Sequence, residues 1–267
     1  GLPSWLTFDA NNLQIYGKAT AQSAGVYSDI TFTVSDGELS DSVTIDLTVV
    51  DAVQLSGKVI DGYISGAIVY VDLNNNGQYD ENSEPNALSN AQGGFSLIVD
   101  ELNLHQATTS FIRAYIGNGA DDISRNNDDF SSKPLTLTYS PLMALSVTTP
   151  VVENINITPF THLIAEQLRV LIDEQQAISE EQIIELKQQA TDNIASRLAL
   201  SQQQLNSDYF SSSTNLSDEK RQWMKSFSTW QFEQLHELQN KALDSDNNGV
   251  ANALDADVDG DQVANIY

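Results

Sequence analysis

The segment Ile64-Ser65-Gly66-Ala67-Ile68-Val69-Tyr70-Val71-Asp72-Leu73-Asn74-Asn75-Asn76-Gly77-Gln78-Tyr79-Asp80 changes character at Asp72. Up to Val71 it is rich in β-branched and aromatic residues, the pattern of a strand. From Asp72 onward, oxygen-bearing side chains recur at the spacing of an EF-type calcium loop. Asp72, Asn74, Asn76 and Asp80 stand at positions 1, 3, 5 and 9, Gly77 at 6, and Gln78 offers its main-chain carbonyl at 7. Alternate side chains on a tightly wound loop converge on one point, and glycine permits the sharp turn. Position 12 is Ser83, and Glu84 follows one residue late, so the usual bidentate acid needs a bulge or Glu81 as a substitute.

The flanks widen the reading. Gly57-Lys58-Val59-Ile60-Asp61-Gly62 precedes the loop and Gly93-Gly94-Phe95-Ser96-Leu97 follows it. Together these stretches resemble the B-type repeats of serine-aspartate adhesins and carboxypeptidase-regulatory-like domains. That resemblance implies a prealbumin-like β-sandwich over residues 54–150.

Upstream, Leu13-Gln14-Ile15-Tyr16, Asp29 to Ser35 and Val43 to Val49 read as strands, and Asp36-Gly37 marks the turn between the last two. With LPSWLTFD at its start, residues 1–53 resemble the dystroglycan-type, cadherin-like Ig domains of bacterial surface proteins. An Ig-like sandwich takes about 100 residues, so the resemblance implies a partial domain, cut or completed by strands from a neighbour. Asp36 and Asp51 are read as turn acids, with inter-domain calcium as the alternative.

Downstream, residues 151–243 predict a helical bundle. Thr158-Pro159 is an N-cap followed by a first-turn proline, and Ser179-Glu180-Glu181-Gln182 is a capping box. A third helix is expected from Ser217 to Leu243, with Trp223, Phe227 and Trp230 at helical spacing. That spacing favours core packing over a sugar-stacking platform.

Residues 244–267 carry the sharpest metal signal. Asp244, Asp246, Asn248, Val250 through its carbonyl, Asn252 and Asp255 fill every EF-type ligand position around Gly249. Asp257, Asp259, Asp261 and Asn265 repeat the pattern, although Gln262 replaces the glycine and the chain stops before position 12. The pair resembles thrombospondin type-three repeats. Calcium (Ca2+) is thus the expected cofactor, with Glu84 the least regular of the proposed ligands. Loops of this type in extracellular modules bind at roughly 10⁻⁴–10⁻³ M.

The balance of 37 acidic to 12 basic residues, a formal charge of −25, disfavours nucleic acid and anionic membrane as partners. There are no cysteines to staple the fold. No apolar run nears the roughly 20 residues of a membrane helix. The opening Gly1-Leu2-Pro3, without Met or signal peptide, suggests a piece of something longer. His105, His162 and His236 lie far apart and read as surface or helix-face residues, and no nucleophile or phosphate-loop motif occurs.

The expected architecture is multidomain: Ig-like and prealbumin-like β-sandwiches, a small helical bundle and a calcium-loop tail. The expected function is a non-catalytic, adhesin-like spacer or display segment on the bacterial cell surface. Its partners would be neighbouring domains of the same long chain, with surface glycans or like subunits as further candidates. The alternatives are a carbohydrate-binding accessory region of a secreted hydrolase, or a filament subunit assembled by strand complementation.

Overall fold

The computed structural model describes residues 2–19, 23–117, 119–122, 128–129, 134–143, 145–173, 175 and 178–239. The chain divides into two compact units: residues 1–52 with 100–102, and residues 53–99 with 103 onward.

The first unit holds two hairpins. Strands β1 (Leu6–Asp9) and β2 (Gln14–Gly17) form one two-stranded sheet, and β3 (Gly25–Ser35) and β4 (Ser40–Val49) form another. Alternation sorts β3–β4 into two faces. Thr31 lies opposite Thr44 and Thr33 opposite Ser42, and both pairs are hydrogen-bonded through their hydroxyls. On the other face Phe32 lies opposite Val43 and Ile30 opposite Ile45. A bulge at Asp29, where φ is 59°, sets this register, and the carboxylate of Asp46 accepts the Asp29 N–H. Asp36 accepts the N–H groups of Glu38 and Leu39, closing the turn as a turn acid does.

The second unit begins at β5 (Ala52–Val59), followed by β6 (Ile64–Ser65), β7 (Ile68–Asp72), β8 (Asn86–Leu88) and β9 (Gly94–Asp100). Helix α1 (Glu101–Thr109) leads to β10 (Phe111–Ile116), β11 (Asp121–Asp122), β12 (Asp128–Asp129), β13 (Leu135–Tyr139) and β14 (Val151–Ile157). The sheets run β13-β10-β7-β8, β14-β5-β9 and β12-β11-β6. Leu55, Val59, Val69, Val71, Leu97, Ile112, Leu137 and Ile157 join one buried cluster, so the β13-β10-β7-β8 and β14-β5-β9 sheets share an apolar core.

Helices α2 (Pro159–Asp173), α3 (Glu180–Leu198), α4 (Gln202–Leu205) and α5 (Asp218–Gln239) complete the unit. The Thr158 hydroxyl accepts the Thr161 N–H, and the capping box of Ser179 and Gln182 forms as its sequence predicts. The helices bury Phe160, Leu163, Leu168, Ile194 and Met224 together with Ile60 and Phe111 from the β region, while Phe232 and Leu235 of α5 join the inter-sheet core.

Residue 150 is therefore not a break in packing: β and helical parts from residue 53 share their cores. The region expected to be helical from residue 151 opens instead with β14, which pairs parallel to β5. A parallel partner some hundred positions away leaves no local signature. Gly57 permits the pairing, because a Cβ there would collide with the backbone carbonyl of Ile155. Gly57→Ala should cost about 1–3 kcal/mol by overpacking, read from urea unfolding. A neutral substitution would show that β14 can move off β5 freely.

Candidate functional site

Asp72 is the last residue of β7 and is fully buried. Its Oδ1 accepts the Asn76 N–H at 3.0 Å and its Oδ2 the Gly77 N–H at 2.9 Å, so position 1 winds the loop over itself. Asn74 Oδ1 accepts the Asn76 N–H and Asn76 Oδ1 the Gln78 N–H, continuing the spiral. Gly77 takes φ of 79°, the left-handed conformation that position 6 requires. The amides of Asn74 and Asn76 both donate to Asp80 Oδ2, at 2.8 and 3.1 Å. Positions 3, 5 and 9 therefore converge, and the side chains at 74, 76 and 78 are exposed.

Two groups depart from a plain cation site. Glu84 is buried and turned back on the main chain: Oε1 accepts the Leu73 N–H and Oε2 the Asp80 N–H, each at 3.0 Å. It is a clamp across the loop's two ends and takes no bidentate position at its centre. Burial pushes its carboxyl above the usual range, and the N–H groups of Asp80 and Leu73 pull the other way. The second group is Arg113 on β10, whose Nε lies 2.5 Å from Asp72 Oδ2 and whose Nη1 donates to Thr138 Oγ1. With 6% and 0% exposure of the two side chains, this is a buried ion pair. Among the described residues no three of His, Cys, Asp and Glu are grouped closely enough to hold a metal. The loop's oxygen acceptors are Asp72 Oδ1, the side-chain oxygens of Asn74 and Asn76 and the carboxylate of Asp80, and each already accepts a hydrogen bond from within the loop.

The charges continue inward from Arg113. The Thr138 N–H donates to Nδ1 of His162, which assigns the imidazole proton to Nε2. Glu166, one turn along α2, is buried and bonded to Arg169 at 2.7 Å. Burial holds His162 neutral, down to about 4, against the opposing pull of Glu166. His162 is therefore an interior acceptor on α2, not a surface residue, whereas His105 is exposed. A lone Arg in the apolar run Phe111-Ile112-Arg113-Ala114-Tyr115-Ile116 was the available sign of a buried pair.

On α5, Phe227 stacks on both Trp223 and Phe160, at 5.3 and 5.4 Å between centroids. Trp223 and Trp230 remain 41% and 44% exposed. The second expected metal region, from Asp244 to Asn265, lies outside the described residues.

No described helix is long and apolar enough to cross a membrane. No curated protein and no solved structure matches the chain. Residues 1–50, 50 of the 267, match the family described as "Putative Ig domain", a match that supports an Ig-like fold for this segment.

Proposed function

We propose that the chain is a non-catalytic, calcium-binding segment of an extracellular bacterial surface protein, serving as a spacer or display module between neighbouring domains. One observation carries the calcium part: the convergence of Asn74, Asn76 and Asp80 beside the carboxylate that winds their loop. The Asp72 and Asp80 carboxylates oppose the charge of Glu84, and a divalent ion would convert that repulsion into coordination. At roughly 10⁻⁴–10⁻³ M affinity such a loop is empty inside a cell and filled outside it. Stiffness and location are then coupled. The Ig-like module favours the surface setting, and the charge of −25 disfavours nucleic acid and anionic lipid as partners.

Calorimetric titration with calcium tests the reading. Asp80→Ala should remove the weakest binding event, and Asp246→Ala should remove a tighter one carried by the tail. Binding that survives both substitutions, or that magnesium matches, contradicts it.

A sugar-binding role has one observation in its favour, the half-exposed Trp223 and Trp230 seven residues apart, about 10.5 Å along a helix. Quenching or enhancement of tryptophan fluorescence by neutral oligosaccharides, lost in Trp230→Ala, would support it. An unchanged spectrum leaves these rings as the outer edge of the Phe160 stack.

A further inference from the structure

Asn76 and Gly77 stand at positions 5 and 6 of the loop that begins at Asp72. An asparagine followed by glycine cyclises readily, because the missing side chain leaves the glycine nitrogen open to the asparagine Cγ. In this loop the reacting groups are also placed. The Gly77 N–H donates to Asp72 Oδ2 at 2.9 Å, and the guanidinium of Arg113 lies 3.9 Å from where a Cβ on Gly77 would stand. A proton acceptor and a cation are therefore next to the residue whose nitrogen must become the nucleophile. On the electrophile, the Gln78 N–H donates to Asn76 Oδ1 at 2.7 Å, so charge that builds on that oxygen during attack meets a donor already in place. Asn76 is exposed, and water reaches it.

We propose that Asn76 is a self-modification site, converted from amide to carboxylate, and that the conversion turns a loop closed on its own hydrogen bonds into one that requires a divalent cation. The Gly77 nitrogen bonds to Asn76 Cγ, the Cγ–Nδ2 bond breaks, and the proton from the Gly77 nitrogen departs on ammonia. Water then opens the succinimide at either carbonyl, leaving aspartate or isoaspartate. Both products carry a carboxylate where the amide stood.

The consequence follows from the bonds that are lost. Asn76 Nδ2 donates to Asp80 Oδ2 at 3.1 Å, one of two amide donors on that oxygen, the other being Asn74 Nδ2 at 2.8 Å. Conversion removes the Asn76 donor and sets a new carboxylate against Asp80, in a loop where Asp72 and Asp80 already oppose the charge of Glu84. Repulsion replaces a hydrogen bond. A charged oxygen at position 5 also strengthens the loop as a calcium ligand set, since affinity follows ligand charge. This last step rests on the calcium reading of the loop, whereas the conversion itself involves no ion.

The test has two arms. In the first, the 267-residue chain is held in mildly alkaline buffer with chelator and followed by peptide mass spectrometry, with Asn118-Gly119 and Asn248-Gly249 as internal comparisons. Acid should accumulate at Asn76, and the change in that peptide should vanish in Asn76→Gln. An Asn76 that remains an amide overturns the proposal, whether or not the other pairs convert. In the second arm Asn76→Asp supplies the converted loop directly, in an Asp246→Ala background that keeps the tail from dominating the titration. It should unfold at lower urea than its parent in chelator and bind calcium roughly tenfold tighter. Equal affinity overturns the switch. A parent loop that binds no calcium, beside an Asn76→Asp loop that does, would defeat the proposed function at this loop and leave the present inference standing.

Discussion

Arg113→Met should destabilise the second unit by about 3–5 kcal/mol, because it leaves the fully buried carboxylate of Asp72 without its counter-charge. The pair itself contributes little net energy; the cost arises from stranding one partner. Asp72→Asn combined with Arg113→Met should therefore recover part of the loss, since no bare charge then remains. The same variant separates two cations that compete for one carboxylate. With the guanidinium gone, calcium becomes the available counter-ion, so calcium should raise the melting temperature of Arg113→Met more than that of the parent. Equal shifts in the two proteins would show that no ion approaches Asp72. Urea unfolding with and without calcium measures both effects.

Acid should unfold the second unit early. His162 is buried, neutral and accepting a main-chain hydrogen bond, so its folded pKa lies at about 4 against 6.5 for the free side chain. The unfolded chain takes up the proton first. Stability from this residue is complete above about pH 6.5 and falls as the pH drops from 6.5 towards 4. The loss over that window is about 3 kcal/mol by linkage. Glu166 is held below its ordinary range, chiefly by Arg169 against the effect of burial, so its contribution is lost as the pH falls further. His162→Gln should flatten the pH dependence between 6.5 and 4 while leaving the lower transition. An unchanged profile would place the acid sensitivity elsewhere.

Strands β3 and β4 of the first unit were legible because each carries its own alternation, as in Val43, Ile45 and Leu47 against Ser42, Thr44 and Asp46, whereas β1 (Leu6–Asp9) was not read as a strand. The helix starts were legible for a similar reason. Caps are local chemistry, and Thr158-Pro159 and Ser179 to Gln182 declare themselves within one turn.

What the sequence concealed is non-local. Strand β14 has meaning only beside β5, and Arg113 only beside Asp72, 41 residues away. The loop shows both cases at once. Spacing located Asp72, Asn74, Asn76 and Asp80, and these converge. Spacing also proposed Glu84 as a ligand, but position along the chain does not say which way a carboxylate turns. Instead it accepts the main-chain N–H groups of Leu73 and Asp80. Interior roles such as that of His162 follow from which helix face meets the sheet, and no local pattern encodes that.

The most direct measurement is the thermal melt of the 267-residue chain in millimolar calcium, in matched magnesium and in chelator, at constant ionic strength so that simple screening of the −25 charge is controlled. A calcium-stiffened segment melts higher in calcium alone, by about 1.4 kcal/mol of stability at tenfold excess over Kd for each site. The gain should diminish in Asp80→Ala and in Asp246→Ala. Coincident melts in calcium, magnesium and chelator would contradict it and leave the Asp72 loop as a turn organised by Arg113 and Glu84.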